Sequence, residues 1–157
     1  MFAQRTDTGN QPITDRVTQL HLQEETAGVR TETYYSAFQL RAEKVKDDFV
    51  AFLIDAKRQG KSVAAYGAAA KGNTLMNFAE LGADLIQYVV DKNPAKQGKY
   101  MPGSQIPIVE PITLEKHRPD YLIILPWNIA NEVKKQNAPL AKLGTRFVTA
   151  VPKLEIG

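Results

Sequence analysis

Five short runs of this chain are apolar on nearly every residue, and segments of helical period separate them. The runs are 62–66 (SVAAY), 85–90 (LIQYVV), 106–109 (IPIV), 121–125 (YLIIL) and 146–151 (RFVTAV). A strand with one wet face alternates apolar and polar side chains. The second, fourth and fifth runs do not alternate, so they read as strands covered on both faces, as in a parallel sheet. The helical segments are 35–59, 73–81, 112–117 and 129–143. In the first, Val45, Phe49, Phe52, Leu53 and Ala56 share one stripe of a 3.6-residue period, and Gly60 is the expected stop. In the last, Pro139 is expected to kink or divide the helix.

Short connections between alternating strands and helices give right-handed crossovers. The prediction is therefore an α/β fold, a Rossmann-like doubly wound parallel five-stranded sheet of order 3-2-1-4-5 with helices on both faces. Residues 1–33 read as an N-terminal arm or linker and 34–157 as the folded domain. The arm has no hydrophobic period up to Asp15, and Gly9, Asn10 and Pro12 interrupt it. A short helix over 17–25 is expected, with Thr14 or Asp15 as its cap.

Composition removes several function classes. The 157 residues include no cysteine and two histidines, His21 and His117, which argues against disulfides and against Cys- or His-based metal sites. The net charge of +3 suits a phosphate-bearing ligand better than a nucleic acid. No run is long enough for a membrane span, and residues 1–10 contain no apolar leader core, so a cytoplasmic protein is expected. No catalytic constellation stands out.

In a doubly wound sheet, ligands sit beyond the carboxyl ends of the strands, where strand order reverses. The expected site is therefore Gly67–Thr74 with Asp91 and 126–128. The segment Gly67, Ala68, Ala69, Ala70, Lys71, Gly72, Asn73, Thr74 leaves the first strand and opens a helix. Small side chains let a ligand approach the main chain, and the helix start offers unpaired N–H groups to an anion. Lys71 adds a full charge. The order of residues is not a Walker loop, and Ala69 stands where GxGxxG has its middle glycine. The bland alternative is that small residues serve only tight strand–helix packing. Asp91 ends the second strand, where an acid either holds ribose hydroxyls or caps the turn after it. Residues 92–103 (KNPAKQGKYMPG) read as a basic lid over the same rim or as an ordinary surface loop. Trp127 and Asn128 follow the fourth strand, as a stacking surface and a polar contact or as rim packing and an N-cap.

These blocks together resemble a known family. YGAAAKGNTL (66–75), VDKNPAKQGKYMPG (90–103), IPI (106–108), PDYLIILPWN (119–128) and the closing Val151-Pro152 are similar to the C-terminal domain of S-adenosylmethionine-dependent sugar C-methyltransferases. Phe2-Ala3-Gln4-Arg5 resembles the segment leaving the methyltransferase domain. The resemblance implies an enzyme acting on a nucleotide-linked deoxysugar, with a zinc-binding domain, a domain holding S-adenosylmethionine, and this Rossmann-like domain as nucleotide-sugar holder in the same polypeptide. It implies that Gly67 to Thr74 meet the diphosphate and that Asp91, Lys96, Trp127 and Asn128 line the site. It places the base and the methyl donor elsewhere, so this domain would bind no cofactor itself and would be inactive alone. Gln105 departs from the family, where a histidine precedes Ile-Pro-Ile. A free-standing nucleotide- or cofactor-binding module, a nicotinamide oxidoreductase remnant and a dimerisation unit are the alternative readings.

Overall fold

The computed structural model describes Gln4, Arg5 and residues 7–157. Phe2 and Ala3, half of the tetrapeptide singled out above, lie outside the described residues. The chain divides into two compact units, Met1–Arg41 and Ala42–Gly157.

The first unit holds helices α1 (Asp15–Thr26) and α2 (Glu32–Ser36), neither of which buries a residue. Thr14 occupies the cap position of α1 without bonding through its side chain, whereas the Thr31 hydroxyl caps α2 by accepting from the Tyr34 N–H.

The second unit carries the sheet. Helix α3 (Phe38–Arg58) buries Phe49, Leu53 and Ala56, three members of the stripe expected from the sequence. The strands are β1 (Val63–Tyr66), β2 (Val89–Val90), β3 (Ile108–Val109), β4 (Tyr121–Ile124), β5 (Arg146–Thr149) and β6 (Glu155–Ile156). Their order is β3-β2-β1-β4-β5-β6, parallel throughout except that β6 runs antiparallel to β5. The first five strands follow the expected order, so the fold is the expected doubly wound α/β sheet.

The five-strand count is corrected to six. Strand β6 has two residues, both exposed, and is held by reciprocal Phe147 and Gly157 backbone bonds of 2.9 Å. A dipeptide on a sheet edge buries nothing, so it leaves no hydrophobic mark in the sequence. The run 85–90 is corrected too, because only its last two residues form β2. Leu85 and Ile86 instead donate to the Gly82 carbonyl in a turn. Ile86 is fully buried there, so its hydrophobicity reports burial and not strand pairing.

Both faces of the sheet are covered. On one, Val63, Ala65, Ile123, Leu125 and Val148 pack with Phe49 and Leu53 of α3 and with Leu75 and Met76 of α4 (Ala70–Phe78). On the other, Ala64, Tyr66, Leu122, Ile124 and Phe147 meet Leu114 of α5 (Ile112–His117), Val133 of α6 (Ala130–Gln136) and Leu140 of α7 (Ala138–Lys142). Neighbouring residues of β1 and β4 thus enter opposite cores, which is why these runs lack polar alternation. Each fully buried side chain of leucine or phenylalanine size contributes about 1.5–3 kcal/mol. Pro139 divides the expected 129–143 helix: α6 stops before Asn137, and the proline sits in the first turn of α7, where it needs no N–H partner.

Candidate functional site

At the carboxyl end of β1 the chain bends at Gly67 (φ 88°), and α4 begins at Ala70, three residues before the expected start at Asn73. The two glycines of the bend are used within the protein. A Cβ on Gly67 would stand 2.7 Å from Pro126 Cδ, and one on Gly72 would stand 2.6 Å from Leu125 Cβ. The smallness of these residues therefore serves close approach to the end of β4. Gly72 stands inside α4, which could not lie this near the sheet with a larger residue there.

The bend itself is held open by a clamp. Asp91 Oδ2 accepts from the Ala68 N–H at 2.8 Å, and Lys96 Nζ donates to the Ala68 carbonyl at 2.8 Å and to Asp91 Oδ2 at 3.3 Å. Asp91 Oδ1 meanwhile accepts from the Asn93 N–H at 2.8 Å, closing the turn after β2. Both oxygens of Asp91 are thus engaged inside the chain. The Ala69 N–H turns back to the Gly67 carbonyl at 2.7 Å, and no side chain caps α4.

Between the bend and the loop after β2 lies a cleft of about 660 Å³. One side is formed by Ala68, Ala69, Ala70, Asn73 and Thr74, and the other by residues 95, 96 and 99–102, with Ile108 of β3. Its size suits a small organic ligand. Hydrogen bonds brace the loop. Gln97 Nε2 donates to the Asp91 carbonyl, the Gly98 N–H to the Ile108 carbonyl, the Ile108 N–H to the Lys99 carbonyl, and Asn77 Nδ2 to the Pro102 carbonyl. Sequence reasoning passed over Lys99, Tyr100 and Met101 as site residues. The signal available was their place in the basic loop, which says nothing about which side chains face the bend.

Lys71, Trp127 and Asn128 form a second group that does not line the cleft. Lys71 Nζ donates to Asn128 Oδ1 and lies 4.9 Å from the centre of the Trp127 ring. This cation therefore has partners within the chain. Trp127 starts a 3-10 turn, Trp127–Ile129, at the end of β4, where strand order reverses.

The groups whose acidity is shifted lie away from the cleft. At the amino ends of β1 and β4, Asp120 accepts from the Ser62 N–H at 2.9 Å, from the Ser62 hydroxyl at 2.8 Å and from Lys61 Nζ at 3.0 Å. These bonds, the backbone one foremost, pull its carboxyl down to about 2. Burial raises the Tyr88 hydroxyl. Among the described residues no three acidic or histidine side chains gather to hold a metal ion, and no helix is long and apolar enough to cross a membrane.

The C-methyltransferase C-terminal domain family matches residues 1–152. The chain belongs to this family. It is 34% identical over 137 residues to the C-methyltransferase NovU of Streptomyces niveus, an alignment that covers 87% of this chain and 33% of that protein. The chain thus spans about a third of the length of that relative. Among solved structures, the UDP-D-quinovosamine 4-dehydrogenase of Vibrio fischeri is 23% identical with a TM-score of 0.41, covering 57% of this chain and 76% of that one.

Proposed function

We propose that this domain holds the diphosphate of a nucleotide-linked deoxy-keto-sugar for a C-methyltransferase that uses S-adenosylmethionine. The nucleotide of that substrate is taken to be thymidine diphosphate. The observation that carries the reading is the cleft at the carboxyl ends of β1 and β2, walled by the uncapped start of α4 on one side and by a basic loop on the other. An anion seated against the start of α4 meets the N–H of Ala70, the first residue of the helix, and the positive end of a helix dipole. Asp91 and Lys96 keep the bend in the shape that receives it. Lys71, held by Trp127 and Asn128, stands on the same rim on the side of β4, outside the cleft.

In the intact enzyme a base would remove the proton beside the keto group, and the resulting carbanion would take the methyl. This domain would contribute position and phosphate electrostatics. Asp91, the acid at the end of β2, is engaged by the Ala68 N–H, the Asn93 N–H and Lys96 in shaping the bend. The methyl donor is assigned, as the family resemblance implies, to another domain of the same polypeptide.

The test is calorimetric titration of the chain with thymidine diphosphate, native and as Ala70→Glu. The native chain is expected to bind saturably. A carboxylate in the first turn of α4 favours the helix dipole, so the variant keeps its melting temperature while its affinity falls about tenfold or more. Unchanged affinity in Ala70→Glu would remove the phosphate from this cleft. Methyl transfer by the chain alone would contradict the assignment of catalysis to another domain.

A further inference from the structure

The cleft has two lysines on its loop wall, and their surroundings differ. Lys96 Nζ already bonds the Ala68 carbonyl and Asp91. Of the lysines nearby, Lys71 is taken by Asn128 and Trp127, and Lys92 donates to Gln136 Oε1 at 2.7 Å. Lys99 lines the cleft, is exposed, and has no side-chain partner among the described residues. Its backbone is nonetheless fixed, since its carbonyl accepts from the Ile108 N–H at 2.7 Å.

Tyr100, the next residue, pairs with Pro107 in an isolated antiparallel bridge, yet its ring is 66% exposed at the cleft. A tyrosine on a braced backbone with an unburied ring adds little to the core and offers a flat surface to a ligand.

Resting on the reading above, we propose that Lys99 and Tyr100 select the ligand: Lys99 takes its phosphate charge and Tyr100 stacks on its heterocyclic base. The combination specifies a nucleoside diphosphate and not a bare anion. It also makes Lys99, and not Lys71 or Lys96, the cation that pairs with phosphate.

The test is calorimetry with two probes, thymidine diphosphate and inorganic pyrophosphate, on the native chain and on Lys99→Met, Lys99→Arg, Lys71→Met and Tyr100→Ala. Melting temperatures of all variants confirm folding. Lys99→Met should weaken both probes about tenfold or more, the size of one lost charge-assisted contact, with recovery in Lys99→Arg. Tyr100→Ala should weaken the nucleotide by about tenfold, as loss of a stacking surface does, and leave pyrophosphate unchanged. Lys71→Met should bind both as the native chain does. Native binding that survives Lys99→Met and Tyr100→Ala but is lost in Lys71→Met overturns this inference and leaves the nucleotide-sugar reading standing. A native chain that binds neither probe overturns both.

Discussion

Asp91 shows how one residue accounts for the shape of the bend after β1. Its two oxygens tie the Ala68 N–H, the Asn93 N–H and the Lys96 ammonium into one knot. Asp91→Ala leaves the partly buried Ala68 N–H and the Lys96 charge uncompensated. A loss of about 2 kcal/mol is expected in urea unfolding, together with weaker nucleotide binding. Asp120 makes the comparable knot at the other end of the sheet, where nothing suggests a ligand. With its pKa lowered to about 2, its ionised form stabilises the fold above the ordinary carboxylate range, and that contribution disappears as pH falls from about 4 to about 2. The side chain is 37% exposed, so after allowance for solvent screening the contribution is about 1 kcal/mol. Asp120→Asn should therefore be less stable than the native chain by that amount at pH 7, with the gap closing toward pH 2 in parallel urea titrations.

At the scale of elements, the contact between α4 and β4 sets how near the helix start comes to the strand ends. Alanine is ordinarily the better helix residue by about 1 kcal/mol. At position 72 the added methyl would meet Leu125 Cβ at 2.6 Å, and overpacking of this kind costs about 1–3 kcal/mol. Gly72→Ala is accordingly expected to lower the melting temperature, and unchanged or raised stability would show that α4 can move away from the sheet. The loop wall depends on one side chain from the same helix. Asn77 Nδ2 holds the Pro102 carbonyl at 3.0 Å, and Gly103 (φ 83°) leaves room for the Asn77 amide. In Asn77→Ala the segment 98–105 should be cut faster by a nonspecific protease, at a cost to global stability of only about 1 kcal/mol.

Over the whole molecule, burial is confined to one of the two units. No described residue before Ala42 is buried, while α1 leaves Leu20 and Leu22 exposed. The core of the second unit, by contrast, has two separate layers, so disruption on either face of β1 and β4 should unfold it cooperatively.

Hydrophobic pattern and the marks of proline and glycine gave the strand–helix alternation, the stripe of α3, the break at Pro139 and the place of the bend after β1, and the strand order followed from the doubly wound fold that this alternation implies. Each depends on burial or on local backbone limits, which leave a mark in neighbouring residues. The edge strand β6 left none, because Glu155 and Ile156 are exposed and held only through the main chain. The run 85–90 misled for the reverse reason, as Ile86 is buried in a turn. Within the bend, the glycines and Lys71 looked alike as ligand-facing groups. Only the folded chain separates them: Gly67 and Gly72 face Pro126 and Leu125, and Lys71 turns to Trp127 and Asn128. The cleft itself joins Ala68 to Lys99 and Tyr100, some thirty residues onward. Residue order says which side chains exist near a strand end, but their direction follows from packing against elements far along the chain, and tertiary structure alone decides that.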